Sequence, residues 1–178
     1  KLGFSARRTM SIAQILYEGI DVGNGSEGLI TYMRTDSTRI SKEMQVMAKD
    51  FILRNYGEEY YPSKPNVYGS KGSAQDAHEA IRPTSLELTP KMVEPFLSRD
   101  ELKLYTLIWN RFMASQMAPQ QNESTTIELN VKDDYTFKAT GSRVIFPGFS
   151  AVYEDVKKED APQLPALKKN DAAHTVEV

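Results

Sequence analysis

The spacing of apolar residues changes once along this chain, near Pro119, and that change limits the fold more than any other feature. Before it, apolar residues recur at helical intervals; after it, they alternate with polar ones. A helical stripe buries one side of a cylinder, whereas an alternating segment is one strand of a sheet. The two patterns therefore predict an α+β chain. A mainly helical module is expected over residues 1–118 and a partial β-rich one over 119–178.

Residues 41–56 carry the clearest helical signal. Ser41 can cap the start, Met44, Met47, Ala48, Phe51 and Ile52 form one apolar stripe, and Gly57 ends the run. A short helix is expected over 8–18, with Thr9 near its start, Ile12, Ile15 and Leu16 on one side and Gly19 as the stop. Ser98 and Glu101 make a capping box for a longer helix over 99–116, with Leu102, Tyr105, Ile108, Trp109 and Phe112 inward. Thr89-Pro90 opens a short helix. Ser73 and Asp76 approximate a box for another, which Pro83 ends. Between these, 23–28 reads as a flexible glycine-rich turn and 29–35 as a short strand.

Beyond Pro119, Thr125, Ile127, Leu129 and Val131 alternate, as do Tyr135, Phe137 and Ala139, with Asp133-Asp134 between them; this is a hairpin signal. Residues 144–146, 151–156 and 175–178 are further candidate strands. So few strands leave an open edge, which is expected to pair with chain outside this sequence.

Composition narrows the function classes. No apolar run approaches the roughly 18 residues of a membrane span, and Lys-Leu-Gly-Phe at the N-terminus offers no apolar leader. The lack of an initiating methionine suggests a piece of a longer chain. Zero cysteines exclude disulfides and thiolate metal sites, and His78 and His174 alone make a zinc cage improbable. A reducing, cytoplasmic setting fits. The net charge of −2 does not suggest a nucleic-acid binder. Any basic footprint must be local, in Lys1, Arg7 and Arg8, Arg34 and Arg39, or Lys71 and Arg82.

Three stretches could carry chemistry. In Gly28-Leu-Ile-Thr-Tyr-Met-Arg-Thr-Asp-Ser37, alternation places Tyr32, Arg34 and Asp36 on one face and Thr31, Met33 and Thr35 on the other. A phenol beside a guanidinium suits attack on phosphorus, because the cation favours the phenolate and offsets charge on the phosphate oxygens. Taken alone, these residues fit better an edge-strand tyrosine packing its ring beside an ordinary surface ion pair. In Gln75-Asp-Ala-His-Glu-Ala-Ile-Arg-Pro-Thr84, one helical turn would bring His78 and Arg82 to a common anion; a histidine on a polar helix face is the equal alternative. Gln14 and Glu18, four residues apart on the first helix, could line a site, although solvated side chains explain them as well.

The wording of the motifs shifts this balance. Gly28-Leu-Ile-Thr-Tyr-Met-Arg-Thr-Asp-Ser-Thr38 is similar to the active-site segment of bacterial type IA DNA topoisomerases, and Ala77-His-Glu-Ala-Ile-Arg-Pro-Thr84 resembles a second signature of that family. Leu2-Gly-Phe, Thr9-Met10, Ala13-Gln14 and Leu16-Tyr17-Glu18 resemble the helix leading to the active tyrosine. Leu104-Tyr105, Leu107-Ile108-Trp109 and Gln116-Met117 resemble the last helix of the same domain, and 144–178 fits strands of an arch-like domain more loosely.

The resemblance implies roles. Tyr32 would form a 5′-phosphotyrosyl link to one DNA strand, Arg34 would position and neutralise the scissile phosphate, and His78 would contact the DNA backbone. Gln14, Glu18, Thr31, Asp36 and Arg82 would help to bind and position the DNA. Storing the broken bond as an ester would let resealing proceed without ATP. The family's magnesium is held by an acidic cluster in a Toprim domain, which no segment here matches; Asp133-Asp134 sits in a hairpin turn. This piece is therefore expected to hold no metal and to be inactive alone. Its partners would be single-stranded DNA and the remaining domains of a monomeric full-length chain. Topoisomerase III and reverse gyrase share the tyrosine segment, while Glu79 and Arg82 favour the topoisomerase I branch. Outside the catalytic reading stand a single-strand-binding module stacking bases on Tyr61 and Tyr68, and a structural hinge.

Overall fold

The structure, a computed structural model, describes residues 1–23, 25–68, 78–131, 135–153, 164 and 171–172. The Ser73/Asp76 box, Lys71, Asp133-Asp134, His174, the strand at 175–178 and the end of that at 151–156 lie outside the described residues. The chain divides into two compact units, Lys1–Ala118 and Pro119–Val178.

In the first unit, helix α1 spans Ala6–Glu18 and begins earlier than Thr9 suggested. Ser5 is the cap: its hydroxyl accepts from Arg8 N at 3.3 Å, while Thr9 Oγ1 donates to Ser5 O at 3.0 Å. Gly19 ends the helix at φ 120°, a conformation open to glycine at little cost. The expected glycine-rich turn lies in a hairpin, in which β1 (Ile20–Asp21) pairs antiparallel with β2 (Ser26–Glu27).

Helix α2, Lys42–Asn55, starts at Ser41 as its cap predicts and buries Met44, Ala48, Phe51 and Ile52. Met47, placed in the same stripe by its spacing, is instead 46% exposed. Helix α3, Pro90–Val93, follows the Thr89 cap. Helix α4, Arg99–Gln116, has both bonds of the Ser98–Glu101 box, at 2.7 and 3.4 Å. It packs against α1, α2 and α3 and supplies the centre of the core. Leu104 and Met113 are buried there with Tyr105, Trp109 and Phe112, whereas Leu102 and Ile108 are only half-buried. The Trp109 ring meets Phe51 edge-on at 5.6 Å. Tyr105 is fully enclosed and donates to Leu88 O at 2.6 Å.

The last carbonyls of α4 lack intrahelical donors. Asn66 Nδ2 donates to Ser115 O and Met117 O at 2.9 and 3.1 Å, and Tyr68 Oη to Ser115 O at 2.7 Å. Burial pushes the Tyr68 phenol up, with Arg111 acting against it.

The second unit contains β3 (Gln121–Val131) and β4 (Tyr135–Phe146), paired antiparallel from Gln121↔Phe146 to Val131↔Tyr135 with an irregularity at Gln121/Asn122. Residues 144–146 are not a separate strand, because β4 runs unbroken through them and the ladder continues. Residues 151–152 close a 3₁₀ turn, Gly148–Val152, rather than begin a strand, since Ser150 and Tyr153 N–H groups turn back to Pro147 O and Ser150 O. The ribbon exposes both faces, with Phe137 on one 62% accessible and Val144 on the other 50% accessible. A two-stranded ribbon of this kind has little stability of its own. Among the described residues, no helix is long and apolar enough to cross a membrane.

Candidate active site

Residues 28–39 thread between the end of α1 and residues 78–84. Leu29 and Ile30 are buried, and the backbone on either side of Ile30 is bonded through Leu29 and Thr31. Leu29 N donates to Leu16 O at 2.7 Å, Thr84 N to Leu29 O at 3.1 Å and Thr31 N to Arg82 O at 2.9 Å. The strand expected over 29–35 is thereby reduced to one antiparallel bridge, Ile30↔Pro83, and the chain bends at Met33 and Arg34. The pairing stops there because the donors that would extend it are taken elsewhere, Leu29 N by Leu16 O and Arg82 N by Thr31 Oγ1. The alternation nevertheless survives in burial. Met33 and Ser37 are inside, while Tyr32, Arg34 and Asp36 are exposed.

Residues 78–82 are not helical, so the expected i, i+4 meeting of His78 with Arg82 does not occur. A residue before proline is driven out of the helical region, and here the freed backbone groups find distant partners instead. Ala80 N donates to Arg39 O at 2.8 Å. Thr31 Oγ1 donates to Ala80 O at 2.8 Å and accepts from Arg82 N at 3.0 Å. Buried Ser37 donates its hydroxyl to His78 O at 2.9 Å, and Arg39 Nε reaches the same oxygen at 3.4 Å. The two motifs are thus fastened together at both ends, and the His78 side chain is left exposed.

Arg82 is engaged internally. Its guanidinium donates to Glu79 Oε2 at 2.6 and 2.9 Å and to Pro83 O at 2.9 Å, with the side chain only 13% exposed. Thr31 is likewise a fastener. On α1, Gln14 Nε2 donates to Glu18 Oε1 at 2.5 Å, so these two candidates bond to each other. The ring of Tyr17, on the same face, meets the Tyr32 ring at 5.4 Å with planes inclined by 62°.

Among the described residues, the side chains of Tyr32, Arg34, Asp36 and His78 form no hydrogen bond or ion pair with protein groups. Among the described residues, no group of three or more His, Asp or Glu residues is placed to hold a metal ion. Of the tyrosines considered for base stacking, Tyr68 is tied through its phenol to α4 and Tyr61 lies beneath the Lys49 ammonium at 5.6 Å. Sequence reasoning missed Tyr17, Ser37 and Gly28. A Cβ on residue 28 would stand 2.6 Å from Tyr17 O, which only glycine avoids. The glycine was visible in the motif; the carbonyl opposite it was not.

All 178 residues match a family model described as DNA topoisomerase. The chain is 47% identical over 180 aligned residues to DNA topoisomerase 1 of Xylella fastidiosa, covering 96% of this chain and 22% of that protein. It is 49% identical over 160 residues to DNA topoisomerase 1 of Campylobacter jejuni, covering 89% of this chain and 23% of the relative. The full-length topoisomerase I structure from Thermotoga maritima superimposes with a TM-score of 0.77 at 43% identity, covering 94% of this chain and 26% of that one. The chain therefore spans about a quarter or less of these relatives. With the family model matched from first residue to last, and an α+β fold shared with a solved topoisomerase I, this chain belongs to the DNA topoisomerase family.

Proposed function

We propose that this chain is the tyrosine-bearing segment of a type IA topoisomerase that relaxes negatively supercoiled DNA. The observation that carries this reading is the joining of two motifs distant in sequence. Thr31 and Ser37 bond across to Ala80, Arg82 and His78 and leave Tyr32, Arg34, Asp36 and His78 turned to solvent. An exposed set of a phenol, a guanidinium and an imidazole on a rigid backbone suits a phosphodiester arriving from outside.

In the proposed reaction, Tyr32 Oη attacks phosphorus and a P–O bond forms. The bond to the DNA 3′ oxygen breaks, and that oxygen leaves as a hydroxyl carrying the proton the phenol lost. Arg34 binds the non-bridging oxygens as charge builds on them. His78 contacts the neighbouring backbone, and Asp36, Gln14 and Glu18 line the approach. Resealing is the same exchange in reverse, so no ATP is consumed. Residues 1–118 form the active-site tyrosine domain and 119–178 part of an arch-like domain. The full-length protein is expected to act as a cytoplasmic monomer on single-stranded DNA, with magnesium held in its Toprim domain.

The test is Tyr32→Phe in the full-length protein. Covalent trapping on a single-stranded oligonucleotide is expected to vanish while binding stays within about 3-fold, since one exposed hydroxyl adds little affinity. A Tyr32→Phe variant that still forms the adduct removes Tyr32 as nucleophile. The isolated 178-residue chain, run alongside, is expected to give no magnesium-dependent nick.

A further inference from the structure

We infer that Tyr17 is a positioning residue for the nucleophile: its ring holds the Tyr32 phenol in the orientation that reaches phosphorus. The inference rests on Tyr32 being the attacking group.

Tyr32 is 42% exposed, and its one aromatic contact among the described residues is Tyr17, with ring centroids 5.4 Å apart and planes inclined by 62°. A side chain on an extended, solvent-facing backbone has several staggered χ1 wells open to it. Nothing about exposure selects the productive one. The edge-to-face geometry does, because inclined rings at this separation attract while other rotamers forfeit the contact.

Tyr17 can act as a stop only if it is itself fixed, and three features fix it. It lies in the last turn of α1, whose neighbour Leu16 is fully buried. Leu16 O accepts from Leu29 N at 2.7 Å, tying this turn to the segment just ahead of Tyr32. Gly28 packs directly beneath the Tyr17 carbonyl, where a Cβ would come within 2.6 Å. The helix end and the nucleophile's backbone are therefore one rigid piece.

The Tyr17 hydroxyl is not required by this geometry. Tyr17→Phe should therefore behave as wild type, whereas Tyr17→Leu and Tyr17→Met keep helix-forming side chains of similar exposure and lose the ring. In the full-length protein, single-turnover cleavage at saturating single-stranded oligonucleotide is expected to slow by about 3- to 10-fold in the Leu and Met variants. The Kd from fluorescence anisotropy should stay within about 2-fold, less than the loss of rate, and the melting temperature close to wild type, so the loss appears in rate rather than binding. Unchanged cleavage rates in both aliphatic variants overturn the inference. So does a loss of affinity as large as the loss of rate, which would mark Tyr17 as a surface on which a base stacks. Should one aliphatic variant fail to fold, the other decides. If Tyr32→Phe still forms the adduct, the catalytic reading itself has failed; if it does not and Tyr17→Leu cleaves normally, only the positioning role has.

Discussion

Replacing Thr31 by valine tests whether the two motifs are held together by one hydroxyl. Valine keeps the β-branched shape and the backbone bond from residue 31 N to Arg82 O at 2.9 Å. It removes the donation to Ala80 O at 2.8 Å and the acceptance from Arg82 N at 3.0 Å. Each such bond contributes about 0.5–1.5 kcal/mol net, and a half-buried partner left unpaired costs somewhat more. Water reaches part of this half-buried site, so the loss should total about 1–3 kcal/mol rather than the full desolvation cost of both groups. For a unit of this size that corresponds to a drop in Tm of roughly 5–15 °C. Trp109, the chain's single tryptophan, is 5% exposed within the Lys1–Ala118 unit, so its fluorescence in urea or on heating reports on this unit. Thr31→Ser, which retains the hydroxyl, should lose clearly less. A Thr31→Val variant within about 0.5 kcal/mol of wild type would refute the reasoning, because the fastening would then reside in the backbone bonds alone.

Gly28→Ala should destabilise the same unit by about 1–3 kcal/mol, because the new methyl meets the backbone oxygen of Tyr17 and neither can swing aside; urea midpoints measure it. Tyr105 supplies a pH signature. Burial pushes its phenol well above the ordinary value of 10.0, so the folded state binds the proton more tightly than the unfolded state does. Its contribution is whole below pH 10 and is lost as pH rises above that value, so stability should fall in alkali. Tyr105→Phe should flatten that decline while lowering stability at neutral pH by about 1–2 kcal/mol through loss of the bond to Leu88 O. A slope in alkali identical to that of wild type would show that Tyr105 is not its source.

Elements whose bonds are local were legible in the sequence. Ser41 and the Ser98–Glu101 box mark where α2 and α4 begin, because a cap bonds N–H groups two or three residues away. Alternation on either side of residues 132–134 likewise announced the β3–β4 pair, and the two motifs carried their family resemblance in their spelling. Everything whose partner lies far along the chain was settled by the folded arrangement. A strand was expected at 29–35 and a helical turn at 78–82. Both gave way because their polar backbone groups bond to each other across some fifty residues, with Thr31 and Ser37 as the links. Arg82, free to reach an anion as far as the sequence tells, is instead closed onto Glu79 and Pro83 O. Tyr17 was spelled out in the family resemblance, but its contact with Tyr32 was not legible, since a ring's role depends on the ring opposite it. Local propensity is a property of neighbours in sequence, whereas a site is assembled from neighbours in space; only the folded chain brings the second set together.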